Sequence, residues 1–274
     1  MAILWLEDPN FPSVRTNLYE RLIDYLLDGR DRSRNITPLL PAEQAKKVLG
    51  PLCLWMQEKR RAQEITKVEF EERIAPLLKE IKPGLRAGDF ISSLRDRDGL
   101  LKEIGKDSYI FLHNSFREFL AARELAEQVF RNPMRINLLV ENFHDDWWRE
   151  TLLLALTLDR PSIFAEFLER FLPHEQNAKS FPALLAQVIK ESPHKPIEPF
   201  ERFMFDRRQH WQKRYNALLC LRLIASEPAK ALVQRVWEQE KHPRIKQKAE
   251  EILIEWKLHR PPIAPEMISA MVTS

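Results

Sequence analysis

Apolar residues recur at helical spacing along most of this chain. Between Arg15 and Leu27 they stand three and four positions apart, which predicts an amphipathic helix. The same spacing predicts a second helix from Pro41 to about Arg61, containing the pair Gly50-Pro51. The stretch Thr66-Lys-Val-Glu69 forms a capping box, so a third helix is expected to begin there and to run to about Ile81.

A short helix and a β-hairpin are predicted next. The helix covers Phe90 to Arg95, and the hairpin joins Leu100-Leu101 to Tyr109–Leu112 through a turn at Gly105. A long helix follows from Ser115, the expected capping residue, to about Phe130, and along it Glu118 is placed to pair with Arg123. Three helices followed by a hairpin is the order of elements in a winged helix.

The pattern after Asn132-Pro133 is helical throughout, with prolines and short polar turns between the helices. The helices are expected at Trp147–Thr157, Ser162–Phe171, Pro182–Ile189, Trp211–Ile224, Pro228–Glu238 and Pro243–Trp256. Paired amphipathic helices of this kind indicate a HEAT-like α-solenoid. The expected fold class is therefore mainly α, a winged-helix domain with a small β-hairpin followed by a HEAT-like α-solenoid.

Four segments follow from this pattern. Residues 1–35 are expected to be the end of a helical domain and a linker, and residues 36–131 the winged-helix domain. Residues 132–260 are expected to form the HEAT-like helical array, and residues 261–274 a loose tail.

The composition mainly excludes a membrane-spanning helix and a metal site. No apolar run approaches the roughly 20 residues that a membrane helix needs, and the two cysteines, Cys53 and Cys220, stand alone in apolar helical patterns. Such cysteines are typical of reduced thiols in a cytoplasmic protein, and no metal-ligand spacing is present. We therefore expect neither a bound metal nor a membrane partner.

Glycine usage argues against a nucleotide-binding loop in this chain. Only six glycines occur, and none follows Gly105. The segment Gly99–Asp107 has one residue too many between its glycines for a Walker A motif, and Asp107 stands where Ser or Thr is needed. No serine, cysteine or threonine lies in a nucleophile motif. We expect no enzyme activity and no cofactor in this chain alone.

One stretch is more specific. Phe111-Leu-His-Asn-Ser-Phe-Arg-Glu-Phe-Leu-Ala-Ala122 resembles the end of the winged-helix domain in NACHT-type signal-transduction NTPases, where the segment reads roughly F-x-H-x-S-F-Q-E-Y/F-x-A-A. Arg117 replaces the usual Gln. Upstream, Arg15-Thr-Asn-Leu-Tyr-Glu20 resembles the R-x-x-L-Y-E element that follows the NACHT nucleotide domain, and Gly99-Leu-Leu and Trp148-Arg-Glu also fit. The resemblance covers about residues 1–160.

The resemblance implies a role for His113. In this family the winged helix folds over the nucleotide in the resting state, and its histidine contacts the β-phosphate of ADP. The chain would then be the regulatory part of a nucleotide-driven signalling switch, and its parent protein would bind ADP and ATP through an upstream NTPase domain absent from this sequence. Phe111, Phe116 and Phe119 are expected to pack the wing onto the long helix. The histidine has an alternative role, a bond to neighbouring backbone at the wing.

A second candidate site lies in a basic segment. Residues 201–260 contain fourteen Lys and Arg against eight Asp and Glu, whereas the whole chain has a formal charge of only +3. The cations are densest around one aromatic residue, and the expected partner-binding set is Arg207, Arg208, Trp211, Lys213 and Arg214. A protein or acidic trigger is the partner that such a surface attracts; a solvated helix face is the simpler reading.

In many proteins a winged helix binds DNA by placing one of its helices in the major groove. The corresponding segment here is Arg86 to Arg97, whose arginines are offset by Asp89, Asp96 and Asp98. A nearly neutral surface gives poor affinity for DNA, so we expect no DNA binding by this helix. A stand-alone winged-helix and α-solenoid scaffold that binds nucleic acid or protein is the alternative to the switch.

Overall fold

A computed structural model describes residues 14–33, 35–174 and 182–259. Within these ranges the chain forms two compact units. The first runs to Phe167 and also includes Glu191–His194; the second comprises Leu168–Lys190 and the chain from Lys195 onward. The tail expected at residues 261–274 and the first thirteen residues lie outside the described part. No helix of the described residues is long and apolar enough to span a bilayer.

Helices dominate the first unit. Helix α1 (Arg15–Asp24) continues through a π-helical turn, Tyr25–Gly29, into a short final turn, Arg30–Arg32. Helix α2 (Ala42–Trp55) likewise ends in a π-helical turn, Met56–Arg60, and Arg61 closes it in the left-handed conformation. The expected helices are thus present.

The winged helix continues with α3 and α4. Helix α3 (Lys67–Ile81) begins at the expected capping box, since the Thr66 hydroxyl accepts from the backbone N–H of Glu69 and the Glu69 carboxylate accepts from the N–H of Thr66. Helix α4 covers Ala87–Asp96. The predicted capping box is confirmed.

A three-stranded antiparallel sheet completes the domain. Strands β2 (Leu101–Ile104) and β3 (Ser108–Phe111) form the expected hairpin, with Leu101 opposite Phe111. A third strand that the sequence pattern did not predict, β1 (Glu64–Thr66), pairs with the other edge of β3. The sheet order is β1-β3-β2, so the predicted fold class, mainly α with a small β-hairpin, is confirmed and the sheet is one strand larger.

Helix α5 (Asn114–Arg131) is the centre of this unit. Helix α5 packs against α2 and against a later helix, Arg149–Leu156. Its buried residues include Phe119, Leu120, Ala121, Ala122 and Leu125. Gly50 of α2 lies against Glu124 of α5, and a Cβ at Gly50 would lie 3.1 Å from the Glu124 carboxylate. A larger residue there would require the Glu124 side chain to shift by a few tenths of an ångström.

The remaining helices of the first unit follow α5. Two 3₁₀ turns (Pro133–Ile136 and Asp146–Trp148) flank α6 (Asn137–Glu141) and lead into α7 (Arg149–Leu156). Because α7 packs on α5, these helices belong to the same compact unit as the winged helix. The domain boundary expected after residue 131 stays a prediction.

The second unit is entirely helical within the described residues. Helix α8 (Phe164–His174) crosses the division, and α9 (Ala183–Glu191) follows. Helix α10 (Glu198–Phe205) has no counterpart in the predicted set. The last three helices pack pairwise on one another: α11 (Trp211–Ile224), α12 (Glu227–Gln239) and α13 (Pro243–Glu255).

Candidate functional site

His113 lies at the corner between strand β3 and helix α5. Its residue is exposed, it occupies the N-cap position of α5, and its backbone carbonyl accepts from the N–H of Phe116 at 3.0 Å. The helix thus begins before Ser115, and the expectation that Ser115 caps it is wrong. Among the described residues no hydrogen bond engages either ring nitrogen of His113.

Aromatic side chains pack against the His113 imidazole. The Phe116 ring meets the His113 ring edge to face with centroids 5.3 Å apart. Phe116 in turn contacts Tyr19 of α1 at 6.4 Å, and Tyr19 contacts Phe119 at 5.9 Å. Phe111, Phe116 and Phe119 are all buried, which confirms their predicted packing role. The corner therefore rests on a rigid aromatic base that includes α1.

Polar contacts of three residues fix α1 to the unit. Arg15 pairs with Glu150 at 2.5 Å, and the Thr16 hydroxyl donates to the carbonyl of Thr157 at 3.3 Å. Glu20 pairs with Lys46 of α2. The Arg15–Glu20 element singled out by the sequence thus holds α1 against α2, α5 and α7 rather than lying free in solvent.

Lys46 has a fully buried side chain surrounded by carboxylates. Its ammonium lies 2.6 Å from Asp24, 2.5 Å from Glu43, and also pairs with Glu20. These three carboxylates lie close enough together for a metal ion, but the ammonium already supplies the positive charge among them. They raise the pKa of Lys46 despite its burial, while burial raises the pKa of Asp24. The cluster is therefore a structural junction between α1 and α2.

Arg117 follows His113 by one helical turn and is completely buried. Its Nη1 donates to Gln57 Oε1 at 2.7 Å, and its guanidinium lies 4.8 Å from the centre of the Trp147 ring. Gln57 and Trp147 are joined reciprocally, because Gln57 Nε2 donates to the Trp147 carbonyl at 2.8 Å and Trp147 Nε1 donates to the Gln57 carbonyl at 2.9 Å. Burial lowers the pKa of Arg117.

Two ion pairs extend this junction. At the π-helical end of α2, Glu58 pairs with Arg135 at 2.8 Å. In the same region Arg61 pairs with Asp145, also at 2.8 Å. The end of α2 is therefore tied to the chain after α5 at three neighbouring positions.

Each arginine of the segment Arg86 to Arg97, which corresponds to the DNA-contacting helix of other winged helices, is paired with a carboxylate. Arg86 forms two hydrogen bonds with Asp89, Arg95 pairs with Asp96 and Glu103, and Arg97 pairs with Asp31. The cations of α4 are therefore neutralised within the domain itself.

The structure separates the five residues of the basic set. Arg214 is buried, donates from Nε to the Met204 carbonyl at 2.8 Å and pairs with Glu240. Lys213 donates to the Pro173 carbonyl, and Arg208 pairs with Asp206, whose pKa it lowers to about 2. Arg207 is exposed. Arg214 therefore does not lie on the surface with the others.

Trp211 stands at the first position of α11. Its ring stacks on His242 with centroids 5.1 Å apart and planes inclined by 10°, and the Arg244 guanidinium lies 4.9 Å from its centre. Lys248 lies 5.7 Å from the Tyr215 ring. The sequence reasoning missed His242, Arg244 and Lys248 of α13, although the four-residue spacing of Trp211 and Tyr215, and of Arg244 and Lys248, is a signal of two matching helix faces.

Both cysteines are buried, and burial raises the pKa of the Cys53 thiol. The described residues thus offer no reactive thiol. What the molecule does present is an exposed imidazole on a rigid corner, and a cationic and aromatic surface on the second unit.

Comparison with known proteins assigns the first of these regions to a domain type. Residues 15–125 match the family model described as the winged helix-turn-helix domain C-terminal to NACHT. The comparisons with curated proteins and with solved structures gave no match. The matched range includes α1, the winged helix and the His113 corner. Residues 15–125 of this chain are therefore a NACHT-associated winged helix-turn-helix domain, as the resemblance around His113 predicted.

Proposed function

We propose that this chain is the regulatory part of a NACHT-type signalling switch in the cytoplasm. Its winged helix holds an upstream ADP-bound NTPase domain in a closed resting state, and its HEAT-like helices bind a protein partner or trigger. The chain contributes docking and regulation, and the parent protein supplies the ATPase chemistry. The family match to a domain C-terminal to NACHT supports this assignment.

The observation that carries the proposal is the state of His113. The imidazole is exposed and has no internal hydrogen bond within the described residues, yet the ring is braced by Phe116. A side chain that serves only the wing would be expected to bond neighbouring backbone. A braced, exposed donor instead suits a phosphate oxygen, since a donor held in place loses little entropy on binding.

A contact made only in the closed state changes the balance between closed and open forms. If His113 bonds the β-phosphate of ADP, its contribution favours the closed form by its differential binding energy. Hydrogen bonds to charged groups contribute about 1.5–3 kcal/mol. Loss of the imidazole should therefore speed ADP release by about tenfold or more.

The pairing within α4 argues for this function over the DNA-binding alternative. Each arginine of the helix that would enter the major groove is already engaged by a carboxylate of the same domain. Release of those pairs would oppose binding to DNA phosphates, which depends on uncompensated cations.

The test uses the protein with its nucleotide domain, purified with bound nucleotide. We expect His113→Ala to accelerate release of a fluorescent ADP analogue, and His113→Gln, which keeps an N–H donor, to be intermediate. Lys106→Ala is the control, because Lys106 is an exposed cation on the turn of the β2–β3 hairpin that precedes His113. Equal release rates for His113→Ala and the wild type would overturn the proposal; equal acceleration by Lys106→Ala would show a general charge effect instead.

A further inference from the structure

A groove on the second unit runs between the facing sides of α11 and α13. It has a volume of about 420 Å³ and is lined by Trp211 and Tyr215 from α11 and by Arg244, Gln247 and Lys248 from α13, with Glu251 at its edge. The stacked pair Trp211 and His242 fixes one end of it. The groove is thus aromatic at its base and cationic along one side.

The structure beneath the groove holds the two helix ends together. Glu240 pairs with the buried Arg214 of α11, and its other oxygen accepts from the backbone N–H groups of Lys241 and His242, each at 2.8 Å. One carboxylate therefore links α11 to the turn that starts α13.

Lys248 of the groove pairs with Glu251, but other cations around the groove have no such partner among the described residues. Within the described part of the chain, Arg207, Lys241 and Arg244 form no ion pair, and Arg207 and Lys241 are exposed. Neither α11 nor α13 has an acidic residue in its first turn, whereas α10 and α12 of the same unit do. Because cations near a helix N-terminus are unfavourable, the Arg244 guanidinium in the first turn of α13 favours an anionic partner.

The contacts on the rings decide between two classes of partner. A single-stranded nucleic acid needs free aromatic faces on which its bases stack. Here the Trp211 ring contacts His242 and Arg244, and the Tyr215 ring contacts Lys248, so these ring faces are already occupied by side chains. A guanidinium held against an aromatic ring still has N–H donors for carboxylates, and the Gln247 amide suits peptide backbone groups.

We propose that this groove binds an acidic peptide segment of a protein partner, with Arg244 as the principal carboxylate contact and Arg207 and Lys241 as supporting cations. The inference rests on the proposed function in taking the helical array as the partner-binding part. It adds the site, the residues of α13 and the chemical class of the partner.

The test measures fluorescence anisotropy with the whole chain at about 0.15 M salt, where charges more than about 8 Å apart are largely screened. The probes are a labelled peptide of Asp and Glu about eight residues long, its Asn and Gln counterpart, and an oligothymidylate of equal charge. We expect the acidic peptide to bind, the neutral peptide not to bind, and the oligonucleotide to bind at least about fivefold more weakly, because stacking contributes nothing.

Two matched variants test whether the peptide binds at Arg244. Arg244→Ala should weaken peptide binding by about tenfold, the loss of one charge-assisted contact. Arg222→Ala removes the same charge from the surface of α11, where Arg222 pairs with Glu255, and should change binding less than about twofold. Unaltered thermal unfolding of both variants confirms that each is folded.

Four results would overturn the inference: no binding of the acidic peptide, equal weakening by both variants, retained affinity in Arg244→Ala, or an oligonucleotide that binds as tightly as the peptide. The assay uses no nucleotide cofactor and leaves His113 intact. Failure of the clamp would therefore leave this result standing, and failure here would leave the ADP-release experiment standing.

Discussion

The guanidinium of Arg117 lies against the ring of Trp147, at 4.8 Å from its centre. Arg117 belongs to the helix that starts at His113, whereas Trp147 belongs to the 3₁₀ turn that leads into α7. Gln57 of the α2 end bonds both residues. Three separate parts of the chain are thus joined at one buried point, one helical turn from the candidate phosphate contact.

We expect Arg117→Ala to lower the free energy of unfolding by about 3 kcal/mol. The change leaves a cavity and removes the donor to Gln57 Oε1, and each effect contributes on this scale. Urea denaturation followed by circular dichroism measures the loss. Arg131→Ala, on the exposed end of the same helix, should change stability by less than about 0.5 kcal/mol.

A double-mutant cycle between Arg117→Ala and Gln57→Ala tests whether the junction acts as a unit. Residues that share a buried hydrogen bond show coupling of about 0.5–3 kcal/mol. If the two losses of stability simply add, the hydrogen bond between Arg117 and Gln57 contributes nothing beyond the separate packing of each side chain.

The Lys46 cluster predicts a local effect on α1. Lys46→Met removes the ammonium that lies among Glu20, Asp24 and Glu43. Because these carboxylates are partly exposed and screened by solvent, we expect a loss of stability of only about 1 kcal/mol. Because two of these carboxylates are on α1, amide hydrogen exchange should accelerate there more than in α3 or α4. The neighbouring exposed residue offers the control, Lys47→Met, which should leave exchange in α1 unchanged.

Asp98 predicts a pH dependence of stability. Its carboxyl is buried beside Asp31, which raises its pKa to about 7 even though Arg97 and Arg30 oppose the shift. A raised carboxyl pKa means that the folded state binds the proton more tightly than the unfolded chain between about pH 4 and pH 7. The contribution of Asp98 to stability therefore falls as the pH rises through this window and is fully lost above it.

We expect Asp98→Asn to stabilise the protein at pH 8 by about 2–4 kcal/mol and to have a much smaller effect near pH 4, since the amide replaces a group that is then neutral. Thermal unfolding at the two pH values measures the difference. Glu72→Gln, which neutralises an exposed carboxylate of α3, should show no such dependence. Equal effects of Asp98→Asn at both pH values would contradict the buried-charge explanation.

The sequence predicted those features that short-range rules control. The capping box at Thr66 depends on residues three apart, and the hairpin on alternating residues around a glycine turn, and both were found. The position of His113 between a strand and a helix follows from the same local pattern. A three-residue strand such as β1 is too short for alternation to reveal it. Helix α10 was not predicted, although it has Pro199 in its first turn, where proline is well tolerated.

Contacts between distant positions were beyond such rules. Glu118 was expected to pair with Arg123, but Arg123 pairs with Glu43 of α2, because residues five apart do not share a helix face. Arg117 was taken as a mild departure from a family pattern, and its partners, Gln57 and Trp147, are brought to it only by the fold. A charged residue in a sequence gives no sign that the tertiary structure buries it.

Arg214 is the sharpest case, since the sequence grouped it with Arg207 as a partner-binding residue. Its guanidinium bonds the Met204 carbonyl and pairs with Glu240, and both side chains of that pair are 9% exposed. We expect Arg214→Ala to lower the free energy of unfolding by about 3 kcal/mol or more, because Glu240 is left as an uncompensated buried charge. Arg207→Ala should leave stability within about 0.5 kcal/mol, yet weaken acidic-peptide binding in the anisotropy assay. Arg214→Ala with wild-type stability and lost peptide binding would instead restore Arg214 to the binding surface.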